Sequence, residues 1–345
     1  MNISIAGLGA VSPAGWGVKS LREALAAQAP LLPTDLARPG WEKPLRVRSV
    51  PASAARLAVL AHPRLRRISA ITRYAVAAAA EALGGDLADV SHPQRLGVIF
   101  CVMSGCVNYS RRFYDEVLKD PPSASPLVFP ETVFNAPSSH LAALLGASGL
   151  NYTLVGDPGT FLQGLALGAD WLLRERADRV LVVGAEEIDW ATADSFRMFS
   201  RRLVLAEGAG AVVLSRGGAA PALASLEAIT DSHLFLHRRD RAAAAAAMRQ
   251  QLPARVADGA LLCDGLQNVP RFDAGEAPVW RDWTGPRLSP KTVLGEGLMA
   301  AAAWQCVAAL DAVSAGRASA ANVSVVGCNQ QAIGAQFLRA SANFP

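Results

Sequence analysis

The sequence predicts an α/β fold of two similar halves that together make a duplicated five-layer α/β/α/β/α body. Three observations carry that expectation. First, Leu150–Glu187 reads as strand, tight turn, apolar helix and strand. Second, the same grammar returns later as the apolar stretch Gly297–Val313 followed by Val323-Ser324-Val325-Val326-Gly327. Third, the 345 residues are 51% hydrophobic and only 18% charged, enough for a large core and for about two domains or one large α/β unit.

Taken in order, Asn2–Gly7 is expected as the first strand, then a Gly/Pro-rich loop and a helix near Val18–Gln28. Pro30–Pro51 lacks a period and is expected to be irregular. Arg67–Leu83 repeats apolar residues at helical spacing. Arg95–Val102 is a β-branched strand leading into Met103-Ser104-Gly105. Tyr109–Lys119 and Thr132–Leu145 are expected helices on either side of the loop Ser123–Pro130.

Asn151–Val155 alternates and is β-branched or aromatic, hence a strand. Gly156-Asp157-Pro158-Gly159 is a turn by composition. Thr160 is expected to cap the next helix, with Gln163 completing a capping box. Leu162, Leu165, Ala166, Ala169, Leu172 and Leu173 share one helical face, and apolar residues off that face predict burial on several sides.

Arg179–Val183 is the returning strand. Trp190–Arg202 is a helical or looped insertion. Gly208–Ser215 and Ala222–Ile229 are expected as neighbouring strands. Arg238–Leu252 is a helix, Ala260–Cys263 a short buried strand, and Val269–Pro286 irregular. Val323–Gly327 and Ala335–Leu338 are the last strands.

The composition excludes several classes. A net charge of +4 and a pI of 8.9 are too mild to argue for nucleic acid. No apolar run reaches the ~18 residues of a membrane span. The start of the sequence lacks the basic and apolar regions of a signal peptide. The cysteines, Cys101, Cys106, Cys263, Cys306 and Cys328, are odd in number and lack metal-ligand spacing, which predicts buried thiols in a reducing, cytoplasmic compartment with no metal and no cofactor.

A strand-to-helix turn such as 156–160 aims one side chain over a helix N-terminus, where a developing anion is favoured. Here that turn offers Asp157, Pro158 and Thr160, and neither cysteine nor serine.

Several segments together resemble the β-ketoacyl-ACP synthases of the thiolase superfamily. They are IAGLGAVSPAGWG, RRISAITRYAVAAAAEALG, RLGVIFCVMSG, SPLVFPETVFNAPSSHLAALLGASGLNYTL, ADRVLVVGAEE, LAEGAGAVVLSR and LSPKTVLGEGLMAAAAW, in family order. The resemblance implies the thiolase-like fold, with halves at 1–205 and 206–345. It also implies a dimer in which the strand Asn151, Tyr152, Thr153, Leu154, Val155 pairs with its counterpart across a two-fold.

The departures are at the reactive positions. The family's nucleophilic Cys falls on Pro158, or with a gap on Gly159 or Thr160. The first catalytic His becomes Asp264. The second becomes Glu296, while Lys291 is kept. The C-terminal Gly-rich loop reads Gly327-Cys328-Asn329-Gln330.

Proline has no nucleophile and no N–H, and ionised carboxylates accept hydrogen bonds where imidazoles would donate them to an enolate. A chain-length-factor-like subunit, non-catalytic and paired with an active ketosynthase, is therefore expected. A rebuilt acyl-thioester enzyme using Asp157, Asp264, Glu296 and possibly Cys263 or Cys328 is the alternative. A homodimeric scaffold holding carrier protein without turnover is the third reading.

Lys291 is expected to fix its loops through Glu276 or Glu296, and His140 to be structural. The implied partner beyond the ketosynthase is an acidic acyl carrier protein, docked by Arg64, Arg66 and Arg67 with Arg201 and Arg202.

Overall fold

A computed structural model of the chain describes residues 3–53, 57–85, 95–147, 149–217, 222–253, 259–328 and 330–340. The main strands are β1 (Ile3–Ser12), β2 (Leu96–Val102), β3 (Asn151–Val155), β4 (Arg179–Glu186), β5 (Gly208–Arg216), β6 (Ala224–Ile229), β7 (Leu261–Cys263), β8 (Ala320–Val326) and β9 (Gln331–Arg339). The main helices are α1 (Val18–Ala27), α2 (Ala70–Ala82), α3 (Val107–Lys119), α4 (Ala136–Leu144), α5 (Thr160–Leu173), α6 (Trp190–Phe199), α7 (Arg241–Gln251), α8 (Pro290–Leu294) and α9 (Met299–Ser314).

Hydrogen bonds run without a break along β3-β2-β4-β5-β1-β6-β9-β8-β7, ending on the short strand Arg287–Leu288. Reading inward from either edge, two parallel pairings are followed by two antiparallel ones. By chain position within each repeat the strand order is third, second, fourth, fifth, first on both sides. In both repeats the helix before the fourth strand, α5 or α9, is buried between the two halves of the sheet. The duplication that was faint in sequence is explicit in this order.

The layers follow from packing. α2 covers the outer face of the first half through Ile71, Val76 and Ala78 against Val98, Leu181 and Val213. α7 covers the outer face of the second half through Ala245 and Met248. Between them α5 and α9 share one core with Ile99, Val182, Leu214, Val323 and Phe337. Every residue of α9 except Ser314 is buried. Its alanines let two sheets approach from opposite sides.

At Gly184 and Gly210, a Cβ would lie 3.1 and 2.7 Å from the Cβ of Ala303. Only glycine on the strands accepts a helix this close. Trp304 fills the space alongside and donates its indole N–H to the carbonyls of Val11 and Ala209, both at 3.0 Å. Truncating so large a buried aromatic costs about 3–5 kcal/mol.

Several elements differ from expectation. β1 runs to Ser12 and inserts between β5 and β6, so Gly208–Arg216 and Ala224–Ile229 are not neighbours. Pro30–Pro51 contains strands Thr34–Leu36 and Leu45–Arg48, which join Leu205–Ala206 in a small sheet. The first two pair with each other nearby in the chain, but Leu205–Ala206 is too distant in sequence for a local pattern to show.

α2 starts at Ala70 because Ser69 caps it, accepting from the Thr72 N–H. α4 starts at Ala136, later than Thr132. Within Val269–Pro286 there is a short helix, Pro270–Asp273. No helix among the described residues is long and apolar enough to cross a membrane.

Three buried carboxylates tie the first half together. Glu187 accepts the N–H groups of Ile71 and Asn108, both at 2.9 Å, at the starts of α2 and α3. Helix N-termini favour anions at these points. Glu207 accepts from the Tyr74 hydroxyl at 2.9 Å.

Glu186 accepts from the N–H groups of Met103 at 2.6 Å and Ser104 at 3.1 Å. Burial outweighs these donors and pushes its carboxyl up to about 8 from an ordinary 4.5. The folded chain thus holds a proton that the unfolded chain has released in that window. Stability from this group is full below 4.5 and is lost as pH rises toward 8, by up to about 1.4 kcal/mol per unit. Glu186→Gln is expected to flatten that fall, as read by urea unfolding across this pH range; an unchanged slope would refute the assignment.

Candidate functional site

The turn between β3 and α5 is where the sequence places the reactive position. Asp157, Pro158, Gly159 and Thr160 are all buried. The Thr160 N–H bonds the Asp157 carbonyl at 2.8 Å, closing the turn. Thr160 does not cap the helix. The cap position is Gly159, with no side-chain bond, and Gln163 instead donates to the Ser232 hydroxyl at 2.9 Å. The Thr160 hydroxyl accepts from the Gln331 amide at 3.4 Å. A tertiary partner has replaced the local one that the capping-box spacing suggested.

Asp157 joins the two halves of the chain. Its carboxylate accepts from the N–H groups of Cys328 at 2.9 Å and Gln331 at 3.3 Å. A Cβ at position 327 would sit 1.5 Å from Asp157 Oδ2, so Gly327 is required for the loop to close. Asn329 in this loop lies outside the described residues.

The two positions where the resemblance leads one to expect histidines hold ion-paired carboxylates. Asp264, at the end of β7, is wholly buried. It accepts from Arg287 Nε, from the Ser289 hydroxyl at 2.7 Å and from the Leu266 N–H at 3.0 Å. Glu296 accepts from Lys291 Nζ at 2.7 Å and from the Leu298 N–H at 2.8 Å. The Lys291 and Glu296 side chains are 3% and 2% exposed.

Burial acts to lower the Lys291 pKa, but Glu296 and nearby acidic groups more than offset it, so the ammonium is held charged. Of the two partners expected for Lys291, Glu296 is bonded, while Glu276 accepts from the Gly265 N–H and the Ser324 hydroxyl. Burial, then the Asp264 charge, raises the Glu276 carboxyl.

The thiols nearby are poor nucleophiles. Cys101 lies under α5, its Sγ 3.7 Å from the Thr160 carbonyl, and burial pushes the thiol well up. Cys263 is fully buried and raised by burial and Asp264. Cys328 is half-buried; crowding by protein, then Glu296 and Asp157, raises it well above the ordinary value. A thiol attacks as thiolate, so none of these is activated.

Asp157, Asp264 and Glu296 each have their own donors and do not form a shared base cluster. His140 bonds Glu131 at 2.8 Å and takes no part in this region.

The other expected residues fall at the surface. Tyr152 and Val155 are about half exposed on β3, which ends the sheet path with one edge unpaired. Arg64, Arg66 and Arg67 are exposed around the 3₁₀ turn Pro63–Leu65, and Arg201 and Arg202 are exposed after α6. Among the described residues no contact joins these two groups. Sequence reading missed the Arg287 and Ser289 partners of Asp264. The signal lay in their position on the strand parallel to β7, a pairing invisible without the fold.

Removing one member of the buried Lys291–Glu296 pair strands a charge, at a cost of about 3–5 kcal/mol, whereas replacing both by apolar groups is often near neutral. Glu296→Leu is therefore expected to destabilise by that amount. Lys291→Met/Glu296→Leu is expected to recover most of the loss, short of the about 1 kcal/mol bond to the Leu298 N–H. Denaturant unfolding of the three proteins checks the order; a double variant weaker than the single would overturn it.

The family model described as the Beta-ketoacyl synthase N-terminal domain matches residues 1–220. No curated protein matches the chain. Three solved structures share its fold across nearly the whole length. The ishigamide ketosynthase/chain length factor is 22% identical, with a TM-score of 0.82 over 99% of this chain and 100% of that one. A ketosynthase (ApeO) in complex with its chain length factor (ApeC) from Xenorhabdus doucetiae is 16% identical, with a TM-score of 0.79 over 98% of each. AntDE:AntF, a type II acyl-carrier protein in complex with its ketosynthase, is 15% identical, with a TM-score of 0.80 over 98% of this chain and 99% of that one. With its sheet order, its two buried helices and this match, the chain belongs to the β-ketoacyl synthase family.

Proposed function

We propose that this chain is a non-catalytic, chain-length-factor-like subunit that pairs with an active β-ketoacyl synthase in polyketide, aryl-polyene or fatty-acid-type synthesis. One observation carries the reading. Proline stands in the turn before the buried helix, where the resemblance places the family's nucleophile, and the carboxylates at both expected histidine positions are tied up in ion pairs. Condensation needs a thiolate to take the acyl group and donors to hold the enolate. Neither is present at these positions. Two similar solved structures are themselves ketosynthases with chain length factors, which supports the same pairing here.

The surface supports a partner subunit. The free edge of β3 is a ready template for another strand. Elsewhere on the surface α3 has no fully buried residue, and Tyr114 and Leu118 are 61% and 66% exposed. Leu127, Phe129 and Phe134 extend the same apolar surface. An apolar face of this kind marks an interface. The rebuilt-enzyme reading is less well supported, since its thiols are pushed up and its carboxylates are occupied. By the repeated strand order, we place the division between the halves between Arg216 and Ala224 rather than at 205/206.

Co-expression with a ketosynthase bearing an intact Cys-His-His set is expected to give a stable heterodimer, and the chain alone is expected not to condense acyl- and malonyl-carrier substrates. Turnover by the isolated chain would overturn the reading. Arg64→Glu/Arg67→Glu is expected to slow carrier-protein association several-fold at low salt, as rim charges do. Binding kinetics unchanged at low salt would remove these residues from the docking surface while leaving the subunit reading intact.

A further inference from the structure

A second polar site lies at the start of α7. A pocket of about 370 Å³ is lined by Arg238, Arg239, Arg241 and Arg271, its remaining walls being alanine and glycine. Four arginines line one cavity, and no carboxylate residue is among those that line it. Asp240 approaches Arg239 at 3.7 Å. The Asp273 carboxylate is taken up by the N–H groups of Gln267 at 3.1 Å and Val269 at 3.0 Å.

Arg241 is the decisive residue. It is only 6% exposed and makes no salt bridge among the described residues. Its Nη2 donates to the Gly327 carbonyl at 2.7 Å, while its buried Nε has no acceptor. The guanidinium lies 5.6 Å from the Phe235 ring and 5.8 Å from the Phe272 ring.

A buried cation with an unmet donor is expensive unless something answers it. The location makes it worse. Arg241 is the first residue of its helix; Asp240 stands at the cap but makes no side-chain capping bond, and the first turn holds no acidic side chain, so the helix N–H groups add to the positive end presented here. Arginine forks and a helix N-terminus are the two protein devices best matched to phosphate oxygens.

We propose that this pocket binds a phosphate group, with Arg241 as its buried anchor and Arg239 and Arg271 closing over it from the surface. Arg271 is already set in place, since its Nη1 donates to the Phe199 carbonyl at 2.8 Å. The inference does not rest on the partner-subunit reading.

The test is calorimetric titration and thermal unfolding of the full chain with inorganic phosphate, against sodium chloride at matched ionic strength. Saturable binding and a rise in Tm with phosphate but not chloride are expected. Arg239→Ala/Arg271→Ala should weaken binding by about tenfold or more, the loss expected from charge-assisted contacts. Arg241→Met should abolish it.

If Arg241→Met does not fold, the surface double variant decides alone. Phosphate and chloride acting alike, or phosphate affinity within about twofold of wild type in the double variant, would overturn the site. Methyl phosphate and dimethyl phosphate then separate a terminal from a bridging phosphate, the tighter ligand naming the form recognised.

Discussion

Two helices sealed between two sheet halves set the terms for everything else in this protein. α9 has no solvent side before Ser314 and α5 only a narrow one at Ala166 and Leu173, so both must be mostly apolar, and narrow where the strands come close. Ala303 resting against Gly184 and Gly210 is the tightest point of that contact. Close packing of this kind transmits displacement rather than absorbing it. The start of α5 is fixed as a result, and with it the turn at 156–160. Asp157 adds a direct tie from this turn to the loop before β9.

That rigidity holds the geometry of this region whatever side chains occupy it. Where the family resemblance places imidazoles, the chain holds carboxylates, and each has acquired a cation: Arg287 for Asp264 and Lys291 for Glu296. An ionised carboxylate buried alone would not survive there. Each carboxylate is thus ion-paired, while Arg287 keeps a buried Nη2 with no hydrogen-bond partner among the described residues. The same region is wired by backbone N–H groups to Asp157, Glu276 and Glu296, so its polar atoms serve the scaffold.

Much of this was legible in the residues. Periodicity identified α2, α5 and α9 because their apolar faces are continuous, and the β-branched runs gave β2, β4 and β8. Motif order alone led to Pro158, Asp264 and Glu296, whose equivalence to the family's reactive positions rests on the resemblance. What could not be read was long-range.

The insertion of β1 between β5 and β6 joins residues more than 200 apart, and no local pattern encodes it. Thr160 looked like a cap because Gln163 stood three residues on, yet Ser232 and Gln331 compete for those side chains. Arg241 read as one more residue of an alanine-rich helix; only its burial against Phe235, Phe272 and Gly327 sets it apart.

The placement of β1 has a consequence for how the molecule is made. Both of its sheet neighbours are synthesised long after it, and the second belongs to the other repeat. The earliest strand must wait on the ribosome, both backbone edges without their long strand partners, until most of the polypeptide has emerged. A topology so dominated by distant contacts folds slowly, because loop closure precedes any reward. Nascent chains of this protein should thus depend on holding chaperones more than their ample core would suggest.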